Sequence, residues 1–379
     1  MTQAAGSPNG SPSLALFFTH GVTLDTWRRG GMFSREVAYY RALSEEFGPV
    51  LFVTYDRKRK GLGKDIAAVQ PVEVAYNRWP LPYPIFGLVA PFLLRRRLRR
   101  CSIVKTNQIH GSWIAVIAKW LLRKPLVLRC GYVVSHERRW GGKRSLRRTA
   151  LTWTERLAVR TADLVFVATE ADGLLLAETH GVSPTKFRHI PTPIDTDRFR
   201  PDPNVVREPR HVIYVGRLVK GKNVHILIDA VRSLGDVKLT IVGGGALEAD
   251  LRARAAGADV TFAGTLPNEV LPAYLASASV YVLPSDFEGS PKALLEAMAC
   301  GLAVIGSRVP GTDIVLRDGE NGLLIERTAP EIAAALQRLL DDPALARRLG
   351  DNARQFVVSR YSQDEIARRE AEYLRSLLP

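Results

Sequence analysis

The sequence predicts an α/β protein built from two doubly wound domains that face each other across a cleft. Three observations carry this expectation. Short apolar runs of strand length alternate with helical stretches, and the rhythm breaks and restarts near residue 205. The 379 residues also exceed the about 250–300 at which single cores stop growing. Buried strands separated by helices imply parallel sheets with right-handed crossovers.

In the first half LALFFTH, VLFVTYD, SIVKTN, PLVLRCG and ADLVFVAT read as buried strands, separated by helical stretches such as FSREVAYYRALSEEF. The second half repeats the pattern with RHVIYVG, VKLTIVGG, DVTFAG, SVYVLPS and LAVIGS. The proline- and charge-rich segment 189–209 reads as the linker between a first domain, 14–188, and a second, 210–360. Residues 1–13 read as a flexible N-terminus, and 361–379 as an amphipathic helix able to pack back on the first domain.

Composition narrows the class. Apolar residues make up 46% and charged residues 24%, as in soluble globular proteins. Three cysteines without metal-ligand or CxxC spacing suit a reducing, cytoplasmic compartment. No basic leader precedes the first strand, and the longest apolar run, LPYPIFGLVAPFLL, is too short and too proline-broken to span a bilayer. The net charge of +15 is uneven: residues 1–204 hold 32 lysines and arginines against 16 acids, residues 205–379 hold 21 against 22. Any acidic partner surface is therefore met by the first half.

Doubly wound sheets bind ligands outside the carboxyl ends of their strands, and the distinctive motifs follow strands. VGRLVKGKN places Arg217 and Lys222 on a loop where Gly216 and Gly221 allow close backbone approach. A guanidinium fork and an ammonium so spaced suit a diphosphate. TIVGGGALEADL sets Gly243 and Gly244 in a glycine turn, where a plain strand–helix connection competes with a ligand contact.

The strongest signal is DFEGSPKALLEAMACG, 286–301. Ser290 and Pro291 read as N-cap and first residue of a helix. The backbone from Ser290 through Pro291 and Lys292 to Ala293 is then expected to turn its amides toward an anion, with the helix dipole behind them. Glu288 lies before the cap and Glu296 about a turn and a half along the helix, so the two carboxylates can reach opposite ends of one elongated ligand. A carboxylate such as Glu296 suits paired hydroxyls, as on a ribose. Its apolar neighbours Leu294, Leu295, Ala297 and Met298 argue against a solvated helix face.

These motifs, with AGTLPNEVLPAYLASASVYVLPS, CGLAVIGSRVPG and DGENGLLI, resemble the family 4 retaining glycosyltransferases of the GT-B fold, closely over 205–330 and more loosely before. The resemblance implies two Rossmann-like domains, the first binding acceptor and the second a nucleotide-diphospho-sugar, which is a co-substrate; no cofactor and no metal are implied. It further implies that Arg217 and Lys222 hold the diphosphate, with Gly216, Gly243, Gly244 and the helix amides nearby. Glu296 would hold the ribose, the backbone at Leu266 the base, and Glu288 the donor sugar beside its anomeric carbon. Retention by front-side attack needs no strong protein base, and a transient covalent role for Glu288 stays open. Where relatives have Phe-Gly after the first Glu-Gly, this chain has Ser-Pro-Lys-Ala, which bears on sugar specificity.

In the first half, GGMFSREVAYYRAL resembles the family's acceptor-side loop, with Gly30 and Gly31 opening a helix that faces the diphosphate. NQIHGSW puts His110 where relatives place a histidine beside the donor sugar. RCGYVVSHERR departs from the family's pattern, so no catalytic role is carried onto Arg129 and His136 stays unassigned. DTD, 195–197, looks like a metal-binding DxD but follows no apolar strand and reads as a turn.

The basic runs RKRK (57–60), LLRRRLRR (93–100) and ERRWGGKRSLRR (137–148), near an apolar segment and Trp79, Trp140 and Trp153, suit an anionic membrane surface. The expected enzyme is peripheral at the inner face of the membrane, acting on a glycan or a lipid-linked acceptor. A sugar-nucleotide epimerase is the enzymatic alternative. A basic nucleic-acid-binding module would explain the charge but leaves both glutamates unused, and no recognition motif supports it, so no nucleic acid is expected as a partner.

Overall fold

The computed structural model describes residues 13–131 and 146–378, with residues 146–151 described as backbone only. Residues 1–12, His136, Trp140 and residues 137–145 of the third basic run lie outside the described residues. The chain divides into two units, Met1–Pro191 with Asp364–Pro379, and Thr192–Gln363.

The first unit is built on a seven-stranded sheet: β1 (Leu14–Phe17), β2 (Val50–Val53), β3 (Glu73–Ala75), β4 (Ile103–Thr106), β5 (Leu126–Cys130), β6 (Leu164–Val167) and β7 (Phe187–His189). Its order is β3-β2-β1-β4-β5-β6-β7, and every pairing is parallel. Strand alternation feeds two layers. Leu14, Leu16 and Phe18 join the layer containing Trp27, Tyr40 and Leu43, and Ala15 and Phe17 join the layer containing Phe86, Ile114 and Ala158. The first layer also takes the last helix, Gln363–Arg375, through Ile366, Ala367, Ala371 and Leu374.

The second unit carries six parallel strands, β8 (His211–Val215), β9 (Lys238–Val242), β10 (Val260–Gly264), β11 (Val280–Leu283), β12 (Ala303–Ser307) and β13 (Leu323–Ile325), in the order β10-β9-β8-β11-β12-β13. The strand order reverses between β8 and β11 here and between β1 and β4 in the first unit. The carboxyl edge at such a switch point is where doubly wound sheets bind their ligands. Within the second unit the chain's entry and exit run together. Ile194 bridges to Ser362, accepts from Gln363 N at 3.0 Å and donates to Tyr361 O at 2.7 Å.

The DTD segment is a turn. The Asp195 carboxylate accepts from Arg198 N at 3.0 Å and its carbonyl from Phe199 N at 2.8 Å.

Candidate active site

At the switch point of the second unit, the loop after β8 and the loop after β11 are bound to each other. Asn223 adopts a left-handed conformation (φ 51°) at the end of the short 3-10 turn Lys220–Lys222. Its amide donates to Pro284 O at 3.1 Å and to Asp286 Oδ1 at 2.6 Å, and Asp286 N donates back to Gly221 O at 2.9 Å. Across this seam the Lys222 ammonium forms an ion pair with the Glu288 carboxylate. Arg217, on the same loop, is exposed and makes no ion pair among the described residues.

Tyr214 lies beneath the loop, donating its hydroxyl to Arg217 O at 3.2 Å. A Cβ on Gly216 would stand 2.5 Å from that hydroxyl, so glycine is what lets the tyrosine reach it. Burial, reinforced by the negative charge of Glu288, pushes the Tyr214 phenol well above its ordinary range. Tyr281, on β11, is raised likewise by burial, with smaller contributions from Tyr214, Glu288 and Glu296. Both glutamates therefore act on the buried Tyr281, and Glu288 on Tyr214 as well.

The helix after β11 runs Lys292–Ala299 with Pro291 as its N-cap. This corrects the expectation that Ser290 is the cap and Pro291 the first helical residue. Pro291 O accepts from Leu295 N at 3.0 Å, so the first helical bond starts there, while the Ser290 hydroxyl donates to Thr192 Oγ1 at 3.0 Å. Lys292 and Ala293 occupy the first helical turn. Glu296 is 6% exposed and Glu288 8%, so both carboxylates are buried in a chain that exposes most of its charge.

The glycine turn after β9 has a structural duty. Gly243 has φ +132°, and a Cβ there would lie 1.9 Å from Gly216 O; its amide donates to Gly264 O at 2.7 Å. Gly244 O accepts from Leu218 N at 3.0 Å. The next helix, Glu248–Arg254, begins four residues further on with Leu247 as cap, so the glycines are not its N-terminus. They bring the β9 loop against the 216–218 loop. Leu266, after β10, packs its side chain on the core of this unit.

Sequence reasoning missed Asn223, Asp286 and Gly311. The first two tie the loops together. Gly311, at φ +91°, lies so close to Glu288 that a Cβ would meet Glu288 O at 1.7 Å, while Glu288 N donates to Pro310 O at 3.2 Å. The Pro-Gly pair at 310–311 was the available signal, a turn mark next to a motif loop.

In the first unit, His110 lies on the loop after β4, at that sheet's own switch point. Gly111 (φ +78°) follows, where a Cβ would be 2.6 Å from the His20 side chain on the loop after β1. Gly30 and Gly31 do not open the following helix, contrary to expectation. Gly30 caps the end of the helix Leu24–Arg29, donating to Thr26 O at 3.0 Å, and Gly31 donates to Arg28 O at 3.1 Å. The following helix, Phe33–Phe47, opens at Met32. Among the described residues no group of three or more His, Cys, Asp or Glu could hold a metal ion.

Comparisons of the whole chain with known proteins agree with one another. Residues 195–356 match the family described as glycosyl transferases group 1, and residues 30–198 match glycosyltransferase family 4. The chain is 31% identical over 309 residues to a GDP-mannose-dependent alpha-(1-6)-phosphatidylinositol monomannoside mannosyltransferase of Mycolicibacterium smegmatis, covering 73% of this chain and 79% of that protein. It is 31% identical over 318 residues to an MMP alpha-(1->4)-mannosyltransferase of Mycolicibacterium hassiacum, covering 78% and 76%. Among solved structures, Anabaena HepE in complex with UDP and glucose matches 96% of this chain and 100% of its own at a TM-score of 0.71 and 20% identity. Sucrose-phosphate synthase from Thermosynechococcus elongatus matches 97% and 99% at 0.74 and 23% identity. At these identities the structural likeness speaks for the fold.

Proposed function

Since the chain belongs to the family 4, group 1 glycosyltransferases of the GT-B fold, we propose that it moves a sugar from a nucleotide-diphospho-sugar to a hydroxyl of a glycan or lipid-linked acceptor, with retention and without a metal. The observation that carries this reading is the junction at the β8–β11 switch point. There Lys222 pairs with the buried Glu288, Arg217 on the same loop has no ion-pair partner among the described residues, and the helix that follows carries the buried Glu296. Arg217 and Lys222 take the diphosphate, and the first-turn backbone at Lys292 and Ala293 adds amides and the positive end of the helix. Glu296 accepts from the ribose hydroxyls, and Glu288 addresses the donor sugar. Fixed cations aimed at the departing phosphate stabilise it as charge develops, the role a metal would otherwise fill. The departing phosphate oxygen can then accept the acceptor's proton on the same face, so no strong base is required of the protein.

Relatives named for GDP-mannose and for phosphatidylinositol mannoside acceptors support a sugar-nucleotide donor and a lipid-linked acceptor. The basic first half supports docking of the enzyme as a peripheral protein on an anionic membrane; no helix of the described residues is long and apolar enough to cross one. The test is thermal stabilisation of the pure protein by a panel including GDP-mannose, UDP-glucose and the free diphosphates. A bound ligand raises stability by RT ln(1 + [L]/Kd), about 2.7 kcal/mol at a hundredfold excess over Kd. Stabilisation by none of the panel would remove the donor assignment.

A further inference from the structure

We infer that a cavity at the β3 edge of the first sheet binds the phosphate head group of an anionic membrane lipid, an inference that rests on the membrane-docking reading above. The helix Tyr83–Leu93 and the turn Arg95–Leu98 after it have two distinct sides. Phe86, Ala90, Leu94 and Leu98 recur every four residues and are buried against the sheet. Gly87 lets Trp113 of the neighbouring helix come close, since a Cβ there would lie 2.3 Å from the indole. The outer side carries Ile85, Leu88 and Phe92, spaced one turn apart and 48%, 54% and 57% exposed. Trp120 and Trp153, on the helices Trp113–Leu122 and Leu146–Thr161 of the same layer, are exposed as well.

Where this helix ends, Ala75, Tyr76, Arg78, Leu93, Leu94, Arg96 and Arg97 line a cavity of about 360 Å³, within the usual range of small-ligand pockets, roughly 300–1,000 Å³. Arg97 is committed. It pairs with Glu73 at 2.7 Å and donates to Val74 O at 3.1 Å. Arg78 stacks over Trp79 at 4.4 Å, and neither Arg78 nor Arg96 has a carboxylate partner among the described residues. Two guanidinium forks without counter-charge at one cavity suit a phosphate. Leu93 lines the same cavity, is 41% exposed and adjoins Phe92. The mouth thus runs into the apolar stripe, which fits a ligand with an anionic head and an apolar tail; a free phosphate would leave the stripe uncovered.

The test is co-sedimentation with phosphatidylcholine vesicles carrying either phosphatidylglycerol or oleate, matched in surface charge. The wild type should bind the phosphatidylglycerol vesicles about tenfold more tightly, the scale of one charge-assisted hydrogen bond. The double variant Arg78→Gln/Arg96→Gln, its fold verified by thermal melting, should lose that preference. Arg99→Gln/Arg100→Gln, an equal loss of charge outside the cavity, should weaken binding to both vesicles and keep the ratio. Equal wild-type binding to both vesicles, or a preference that survives in Arg78→Gln/Arg96→Gln, would overturn the head-group site while leaving docking in place. Binding to neither vesicle would remove the docking reading too. Thermal stabilisation by inorganic phosphate alone, lost in Arg78→Gln/Arg96→Gln, would reassign the cavity to a free anion.

Discussion

Lys222 and Glu288, 66 residues apart in sequence, form an ion pair that closes the seam between the two loops of the switch point. The pair holds in place the ammonium assigned to phosphate and the carboxylate assigned to sugar. On the proposed reading, an incoming diphosphate would compete with Glu288 for Lys222 and so turn the carboxylate loose toward the sugar. Removing the carboxylate charge should therefore not harm nucleotide binding. In Glu288→Gln, affinity for a nucleoside diphosphate should hold or improve while turnover falls about a hundredfold, the scale seen when one group stabilising developing charge is lost. Turnover within a few-fold of wild type would take Glu288 away from the reacting sugar.

Glu296 is buried on the helix that follows, and its role is assigned to the ground state as much as to the reaction. Glu296→Ala should weaken donor and free nucleoside diphosphate alike, by about 1.5–3 kcal/mol for hydrogen bonds to a charged group. Calorimetry reads this directly. Unchanged affinity for the diphosphate would place Glu296 outside the site.

Gly311 tests how the Glu288 loop is held. With φ at +91° and Glu288 O at 1.7 Å from any added Cβ, Gly311→Ala must move one of the two loops. It should cost about 1–3 kcal/mol in urea unfolding, the scale of strain at a special backbone position, and should lower turnover as Glu288 shifts. Wild-type stability and turnover together would show that the 310–311 loop yields freely.

Ten strands were legible in the sequence because each is a short, mostly apolar run, and all but the edge strand β10 are largely buried. The three that were not, β3, β7 and β13, are three of the four sheet edges and only three residues each; the fourth edge, β10, runs five residues. Edge strands need less apolar sequence, and Glu73, Arg188 and His189 disguise two of them. In the site, the residue types bound to strand ends could be read: Arg217, Lys222, Glu288 and Glu296 all belong to one unit and one carboxyl edge. What could not be read was how the amides and glycines are used. Gly30, Gly31 and Gly243 each direct their N–H to a carbonyl of their own unit, and a glycine-rich turn looks the same in sequence whether its amides are free or bound. The partnership of Asn223 with Asp286 depends on strand order, which local sequence does not encode.

Activity should persist in excess EDTA if, as proposed, Arg217, Lys222 and the helix terminus supply fixed positive charge at the departing phosphate. The measurement is initial rate with and without chelator, then with manganese or magnesium added back. A loss restored by either ion would show that the fixed charges do not suffice and would end the metal-independent reading.

The last helix is held to the first unit by a buried charge cluster centred on Glu370. Lys105 on β4 forms an ion pair with Glu370, and neither side chain is exposed at all. The Tyr39 hydroxyl donates to Glu370 Oε2 at 2.6 Å, and Arg129 approaches the same oxygen at 3.8 Å. Burial pushes the Lys105 ammonium below its ordinary pKa, against the pull of Glu370. The cluster is lopsided: one fully buried carboxylate pairs with two cations and a phenol, and Glu36 adds a weaker pull on both cations. Glu370→Gln leaves Lys105 and Arg129 buried with only the partly exposed Glu36 as counter-charge and should cost about 3–5 kcal/mol in urea unfolding. Lys105→Met removes one cation while Glu370 keeps Arg129 and Tyr39, so it should cost clearly less. Equal losses in the two variants would mean that Arg129 gives Glu370 no compensation, and that Lys105 alone balances the carboxylate beneath the C-terminal helix.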